Sequence, residues 1–520
     1  MVVRKISYYR VIVSLCLFMF LLSPVFGDEI SAVSFDKELP ENNIVTIQPD
    51  SLRILHNPLT GWVLYASMGV DAADFWAQYD HMYIPELGHN VSVTDYAHTL
   101  YIRASWTDFN PQEDVYGWKI DSNLRAYIEG AYQRNMRLAF RVVVDSRDKR
   151  TEFTPQFVKD AGAKGFMNKG KWSPYSDDSV FQKYYTKFVK ALAKDFNDPS
   201  KVEFIDGFGL GKWGEYHTMI YSTGDDTPKK AVFDWVTDIY SQAFDKVPVV
   251  INYHRWIGAG KDWVDDEHFA ADSEEMLEEA IKKGYSLRHD AFGMTTYYGS
   301  WERRFAKKYR NICPIIMEGG WIVKSHNYWQ DPRGYRKDSH EDVRRGEFDD
   351  SKEAHVNMMD FRFGDTKSWF KDAFDLVRRF LREGGYRLYP SEISLPLEVS
   401  KKTTPTIKHC WNNLGWGYCP TNIPQWNQKY KVAFALLDSE TNEVRYTFVD
   451  TNTDLSKWIK GSPAEYVFEP DMSKVETGTY VWAVGLVDRS NKDLVGLDIA
   501  AKGDILDSGW LKLSKVSIKK

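Results

Sequence analysis

Between residues 60 and 365, eight short apolar runs alternate with longer amphipathic stretches, and few architectures accept that order. The runs are Gly61 to Ser67, Thr99 to Trp106, Arg137 to Asp145, Val202 to Gly209, Val247 to Tyr253, Ala291 to Tyr298, Ile312 to Gly319 and Val356 to Phe363. Helical stretches are expected between them, such as Asp121 to Arg134, Asp178 to Phe196, Ala231 to Phe244, Ser273 to Lys283 and Thr366 to Glu383. Eight strands with intervening helices predict a (β/α)8 barrel over residues 45–384. Such a barrel takes about 250 residues, so the excess belongs in loops, the clearest being Lys324 to Ser351 after the seventh strand.

Past Gly384-Gly385 the texture changes to short alternating runs: Tyr430 to Leu437, Glu443 to Val449, Gly478 to Val487 and Asp493 to Ile499. Turn residues divide them, so residues 385–520 are expected to form an all-β sandwich. The fold class is therefore α/β, a barrel followed by a β-sandwich.

The first 27 residues have the pattern of an export signal. Arg4, Lys5 and Arg10 precede an apolar run from Val11 to Phe26, and Val25 and Gly27 stand where a signal peptidase reads. That run is shorter than the roughly 20 residues a spanning helix needs, so the mature chain is expected to have no membrane span and to be periplasmic, extracellular or at the cell surface. Losing the three basic residues leaves 64 basic and 73 acidic side chains, a net charge of −9 with no basic stripe, which argues against nucleic acid as a partner. Export also makes room for a local Cys410–Cys419 bridge, worth about 2–3 kcal/mol, while Cys313 lies in an apolar run as a small hydrophobe.

In a barrel the reactive face is built where strands end on their C-terminal side. Glu215 follows the fourth strand in the run Gly207-Phe208-Gly209-Leu210-Gly211-Lys212-Trp213-Gly214-Glu215. Glu318 ends the seventh in Ile315-Ile316-Met317-Glu318-Gly319-Gly320-Trp321. Strands four and seven stand on opposite sides of an eight-strand ring, so the two carboxyl groups face each other over a sugar-sized gap. Glycoside cleavage needs one carboxyl to protonate the leaving oxygen and another to attack the anomeric carbon or activate water. Trp213 and Trp321 beside the acids are placed to stack on pyranose faces. The bland alternative for Glu215 is a loop carboxylate paired with Lys212.

Other residues reach the same face. Arg103 and Arg141 lie within apolar strands, either gripping substrate or forming an internal ion pair. His217, Asn252 and His254 follow strands four and five, and Tyr297 and Tyr298 end the sixth apolar run, one of them free to pack in the wall. No metal-ligand spacing occurs, so neither metal nor cofactor is expected. Trp411, Trp416 and Trp426 in the second region either bind glycan or pack against the barrel.

The chain resembles a clan A glycoside hydrolase of the β-galactosidase-like kind. The stretch Tyr101-Ile102-Arg103-Ala104-Ser105-Trp106-Thr107-Asp108-Phe109-Asn110-Pro111, followed by Tyr116-Gly117-Trp118, is similar to the strand-two passage of such proteins. The resemblance implies Glu215 as acid/base and Glu318 as nucleophile in a retaining, double-displacement reaction on a β-linked oligosaccharide or polysaccharide of a plant or host glycan. The long loop after strand seven favours exo action. Many clan members carry Asn immediately before the acid/base Glu, and here that position is Gly214. The competing readings are a glycan-binding protein on a degenerate barrel and an inverting or lyase-type carbohydrate enzyme.

Overall fold

The computed structural model describes residues 42–147, 149, 151–262, 267–294, 297–320 and 340–520. Eight parallel strands close into a barrel: Gly61–Tyr65, Ala97–Ser105, Arg137–Val143, Val202–Asp206, Val249–Asn252, Tyr285–Phe292, Ile315–Gly319 and Met358–Asp360. Each pairs with the next in sequence, and the last closes on the first with Met358 opposite Gly61. Helices cover the outside. In Ser179–Phe196, Asp178 accepts a hydrogen bond from the Phe181 N–H at 2.9 Å, a cap worth about 1 kcal/mol. The same helix buries Phe181, Tyr185, Phe188, Leu192 and Phe196 along one stripe against the strands.

The barrel interior follows from strand alternation. Val63, Ala139, Phe204, Val250, Ile316 and Met358 fill an apolar layer. Two residues further along their strands stand Arg141, Asp206, Asn252, Glu318 and Asp360, all buried. One step of the pleat therefore converts an oily plug into a charged floor.

The sixth strand differs from expectation. It runs Tyr285–Phe292, six residues earlier than the apolar pattern suggested, because Ser286, Arg288 and Asp290 alternate with Leu287, His289 and Ala291. Arg288 is fully buried and Asp290 nearly so, and both find partners inside the barrel instead of exposing a polar face to water. The expected insertion at Lys324 to Ser351 falls partly on residues 321–339, outside those described, and partly on a helix, His340–Glu353. The stretch from Thr366 to Glu383 is two helices that break at Ala373, where φ is −148°. The leading 27 residues and Trp321 also lie outside the described residues.

Beyond the barrel, two β-sheets face each other. One has the order Asn42–Thr46, Leu388–Pro396, Ile407–Asn413, Ala464–Phe468. The other runs Glu398–Ser400, Leu511–Lys519, Gly478–Asp488, Tyr430–Asp438, Val444–Asp450, with Leu494–Leu497 paired to Gly478–Asp488. Ile393, Leu395, Ile407 and Trp411 meet Val432, Phe434, Leu436 and Trp482 in a shared core. A strand that precedes the barrel in sequence thus completes the sandwich that follows it.

That core continues without interruption into the apolar layer of the barrel. Polar contacts seal the join at the N-terminal ends of the strands. Asn357 donates to the carbonyls of Leu59 at 3.2 Å and Tyr418 at 2.9 Å, Asn422 donates to that of Ile312 at 2.7 Å, and Gln425 donates to that of Gly284 at 3.2 Å. Trp411, Trp416 and Trp426 are all buried here, so their role is packing under the barrel and not glycan contact. The Cys410–Cys419 bridge does not form, and all three described cysteines are free. On the strand Ile407–Asn413, His409 and Trp411 turn inward, which puts Cys410 on the outer face while Cys419 is buried in the core.

Candidate active site

Glu215 is carried by a loop of unusual backbone. The fourth strand ends at Asp206, so Gly207 to Glu215 lie beyond the strand and do not alternate between its two faces. Instead Gly209, Gly211, Trp213, Gly214, Tyr216 and Thr218 all have positive φ. At Gly209 a Cβ would meet the Tyr185 hydroxyl and, at 2.5 Å, the Val142 carbonyl, so only glycine fits. Trp213, Tyr216 and the β-branched Thr218 pay strain there, with φ values of 63°, 64° and 47°.

Neighbours hold this loop in place. Arg103 donates to the Trp213 carbonyl at 2.8 Å, and Thr218 donates to Asp262 from its N–H at 3.1 Å and its hydroxyl at 3.2 Å. His254 accepts from the Trp256 N–H on Nδ1 and therefore donates from Nε2 to the Glu215 carbonyl, at 3.0 Å. Burial and the adjacent charge of His217 keep His254 neutral, well below the usual histidine range.

The two sequence-derived acids share one cationic neighbour. Arg141 from the third strand forms an ion pair with Glu215 and approaches Glu318 to 4.0 Å, so one guanidinium lies between the carboxyl groups. Arg141 also grips Asp206, with its Nε 2.6 Å from Oδ2. Arg288 donates to Glu318 at 2.6 Å and to Asp360 at 2.9 Å. Arg103 lies 3.7 Å from Glu215 and donates to the Tyr65 hydroxyl at 3.2 Å. The Lys212 partnership is not what holds Glu215; Lys212 lies over the Trp213 ring at 4.4 Å.

Electrostatics separate these carboxyl groups. Burial raises the pKa of Glu215, the charge of Asp290 adds to this, and Arg141 and Arg103 oppose without cancelling it. Burial likewise favours the protonated form of Asp360, helped by the charge of Glu318 across Arg288. Asp290 goes the other way. Burial disfavours its charge, but the neighbouring His217 and Glu215 side chains bring it down to about 2.

His217 is the hub of that difference. Burial alone would discharge it, yet Asp262 at 2.7 Å from Nδ1, with Asp290 at 3.9 Å from Nε2, lifts it to about 10. The Tyr297 hydroxyl is 2.5 Å from Nε2, and the His254 ring stacks on the imidazole with centroids 3.9 Å apart. Asp262, His217, Asp290 and Glu215 thus form a row in which the pKa of Glu215 alone among the three carboxyls is raised. Glu215, His217 and Asp290 are also the one trio among the described residues whose ligand atoms lie within 4.8 Å of one another, close enough to bracket a metal ion. Arg141, Tyr297 and Asn252 already engage those three side chains.

The expected site residues therefore divide. Glu215, Glu318, Arg103, Arg141, His217, Asn252, His254 and Tyr297 belong to one connected network. Trp213 is half-exposed beside it. Tyr298 packs in the wall, stacked on Phe292 and 3.2 Å from the Tyr253 hydroxyl. Arg288, Asp290, Asp360 and Asp262 were not foreseen. A charge every second residue inside an otherwise apolar run, as in Arg288 and Asp290, was the available signal.

No protein-family profile and no curated protein sequence matches the chain. Solved structures do resemble it in shape. They include a GH30 endoxylanase from Clostridium papyrosolvens C71, at TM-score 0.37 and 9% identity over 82% of this chain and 95% of that one. Another is endo-glycoceramidase II from a Rhodococcus species, at 0.39 and 13% over 82% and 99%. A third is an exo-β-1,4-mannosidase from an Opitutaceae bacterium, at 0.35 and 12% over 62% and 59%. Likenesses this distant carry no argument about chemistry, and the closed ring of eight parallel strands rests on the strand pairing itself.

Proposed function

We propose that this chain is a glycoside hydrolase that retains anomeric configuration, exported by its leading segment and acting on the end of a β-linked glycan. The observation that carries this reading is the convergence of Glu215 and Glu318 on Arg141 at the C-terminal mouth of the barrel. Glu215 has the environment of a general acid, because burial and the charge of Asp290 push its pKa upward. Glu318, held by the Arg288 guanidinium, is assigned as the nucleophile.

In the first step Glu318 attacks the anomeric carbon while Glu215 gives its proton to the departing oxygen, leaving a glycosyl ester on Glu318. In the second, Glu215 takes a proton from water, the water oxygen bonds to the anomeric carbon, and the ester bond breaks. Half-exposed Trp213 offers a flat face to a sugar ring.

The test is a panel of nitrophenyl glycosides and plant or host glycans, with proton NMR of the product formed first. Release of a sugar whose first anomer matches the substrate supports the proposal. Retention of glycan without release would favour a binding protein, and the opposite anomer an inverting enzyme.

A further inference from the structure

Asp290 stands near the end of the sixth strand, beside His217 and Glu215, and takes no part in the bond-making steps set out above. It is held from two sides. Asn252 donates to its Oδ1 at 3.3 Å, and His217 lies 3.9 Å from Oδ2. Its remaining capacity turns to the Glu215 carboxyl, an oxygen of which lies within 4.8 Å of one of its own.

Around Glu215 the charges would otherwise favour loss of the proton. Arg141 from the third strand and Arg103 from the second both reach its carboxyl, and His254, after the fifth strand, contacts only its backbone carbonyl. The other acids are bound elsewhere: Asp206 to Arg141, and Glu318 and Asp360 to Arg288. Behind Asp290, the imidazolium of His217 is anchored by Asp262 and hydrogen-bonded to Tyr297, which keeps Asp290 an anion.

We propose that Asp290 is a positioning residue for the acid step, its carboxylate accepting a hydrogen bond from the Glu215 carboxyl and so keeping the transferable proton on Glu215 against Arg141 and Arg103. This rests on the reading of Glu215 as the acid. When Glu215 gives its proton to the leaving oxygen, two anions are left side by side. Their repulsion makes Glu215 a stronger base, and the proton taken from water restores the bond. One carboxylate thus serves both halves of the cycle without touching the sugar.

The test needs no substrate. In infrared spectra the carbonyl stretch of a protonated carboxyl is followed against pH, and the part lost in Glu215→Gln is assigned to Glu215. In the unmodified chain that band should persist through neutrality. In Asp290→Asn its midpoint should fall by about one pH unit or more, and Asp290→Glu should restore it. Should Asp290→Asn not fold, Asp290→Ser vacates the same place with less bulk. An unchanged midpoint in a folded variant overturns the proposal. With a nitrophenyl glycoside that is turned over, the basic limb of kcat/KM should move down with the band, whereas a merely structural loss lowers activity equally at every pH. Failure of azide and good leaving groups to rescue Glu215→Ala would sink the acid role itself, leaving the infrared result to decide on Asp290 alone.

Discussion

Replacing His217 by Gln should remove a specific pH dependence from stability. The folded imidazole titrates near 10, because Asp262 and Asp290 outweigh its burial, whereas an unfolded histidine titrates near 6.5. A group with a raised folded pKa contributes stability that is complete below the unfolded value and is lost as pH climbs through the folded one. At about 1.36 kcal/mol per pH unit, the difference is about 5 kcal/mol, dissipated between roughly pH 6.5 and 10. Unfolding entropy near 2.1 cal/mol/K per residue gives about 1.1 kcal/mol/K for 520 residues, so the effect is about 5 °C in Tm. Thermal melts of both proteins between pH 6.5 and 10 provide the measurement. The variant should melt several degrees lower at pH 7, and that gap should close by about 5 °C as pH rises. Lysines and tyrosines titrate in both proteins and drop out of the difference. A gap of constant size across the range would refute the claim that His217 is an imidazolium held by two carboxylates.

Glu318→Gln should abolish turnover while leaving the circular-dichroism spectrum and Tm nearly unchanged, since the amide still offers an oxygen to Arg288. Substantial remaining activity would remove it from the mechanism. Glu215→Ala should lose about 10²–10⁴-fold on poor leaving groups, lose much less on nitrophenyl leaving groups, and regain rate with azide. Arg141→Met leaves Asp206 buried without its closest cation and should cost about 3–5 kcal/mol in denaturant melts; a neutral result would mean that carboxyl is already uncharged. A chain ending at residue 384 should be insoluble or bind hydrophobic dyes, and a folded soluble product would contradict the shared core.

Seven barrel strands were legible because β-branched and aromatic runs sit between amphipathic stretches, and that contrast survives without coordinates. The sixth was displaced because a barrel interior can satisfy charges internally: Arg288 is buried against Glu318 and Asp360, so polarity there no longer signals exposure. Several sandwich strands, among them Leu388–Pro396, Ile407–Asn413 and Leu511–Lys519, were passed over. Prolines at both 390 and 396, and lysines through the last strand, blur the alternation at the positions that face water. Glu215 and Glu318 stood out as isolated acids at glycine-flanked strand ends. Their partners did not. Asp262, for instance, opens an acidic stretch that reads as a solvated helix start, yet its side chain is buried on His217.

The β layer lies against the end of the barrel opposite the acids, and the first described strand, Asn42–Thr46, is already woven into it. Synthesis from the N-terminus therefore leaves an early ribbon waiting for a mate, Leu388–Pro396, about 350 residues downstream. The cylinder's underside stays wet until the tail arrives. On the proposed reading, cleavage at the mouth waits until the strands beyond residue 385 have been made.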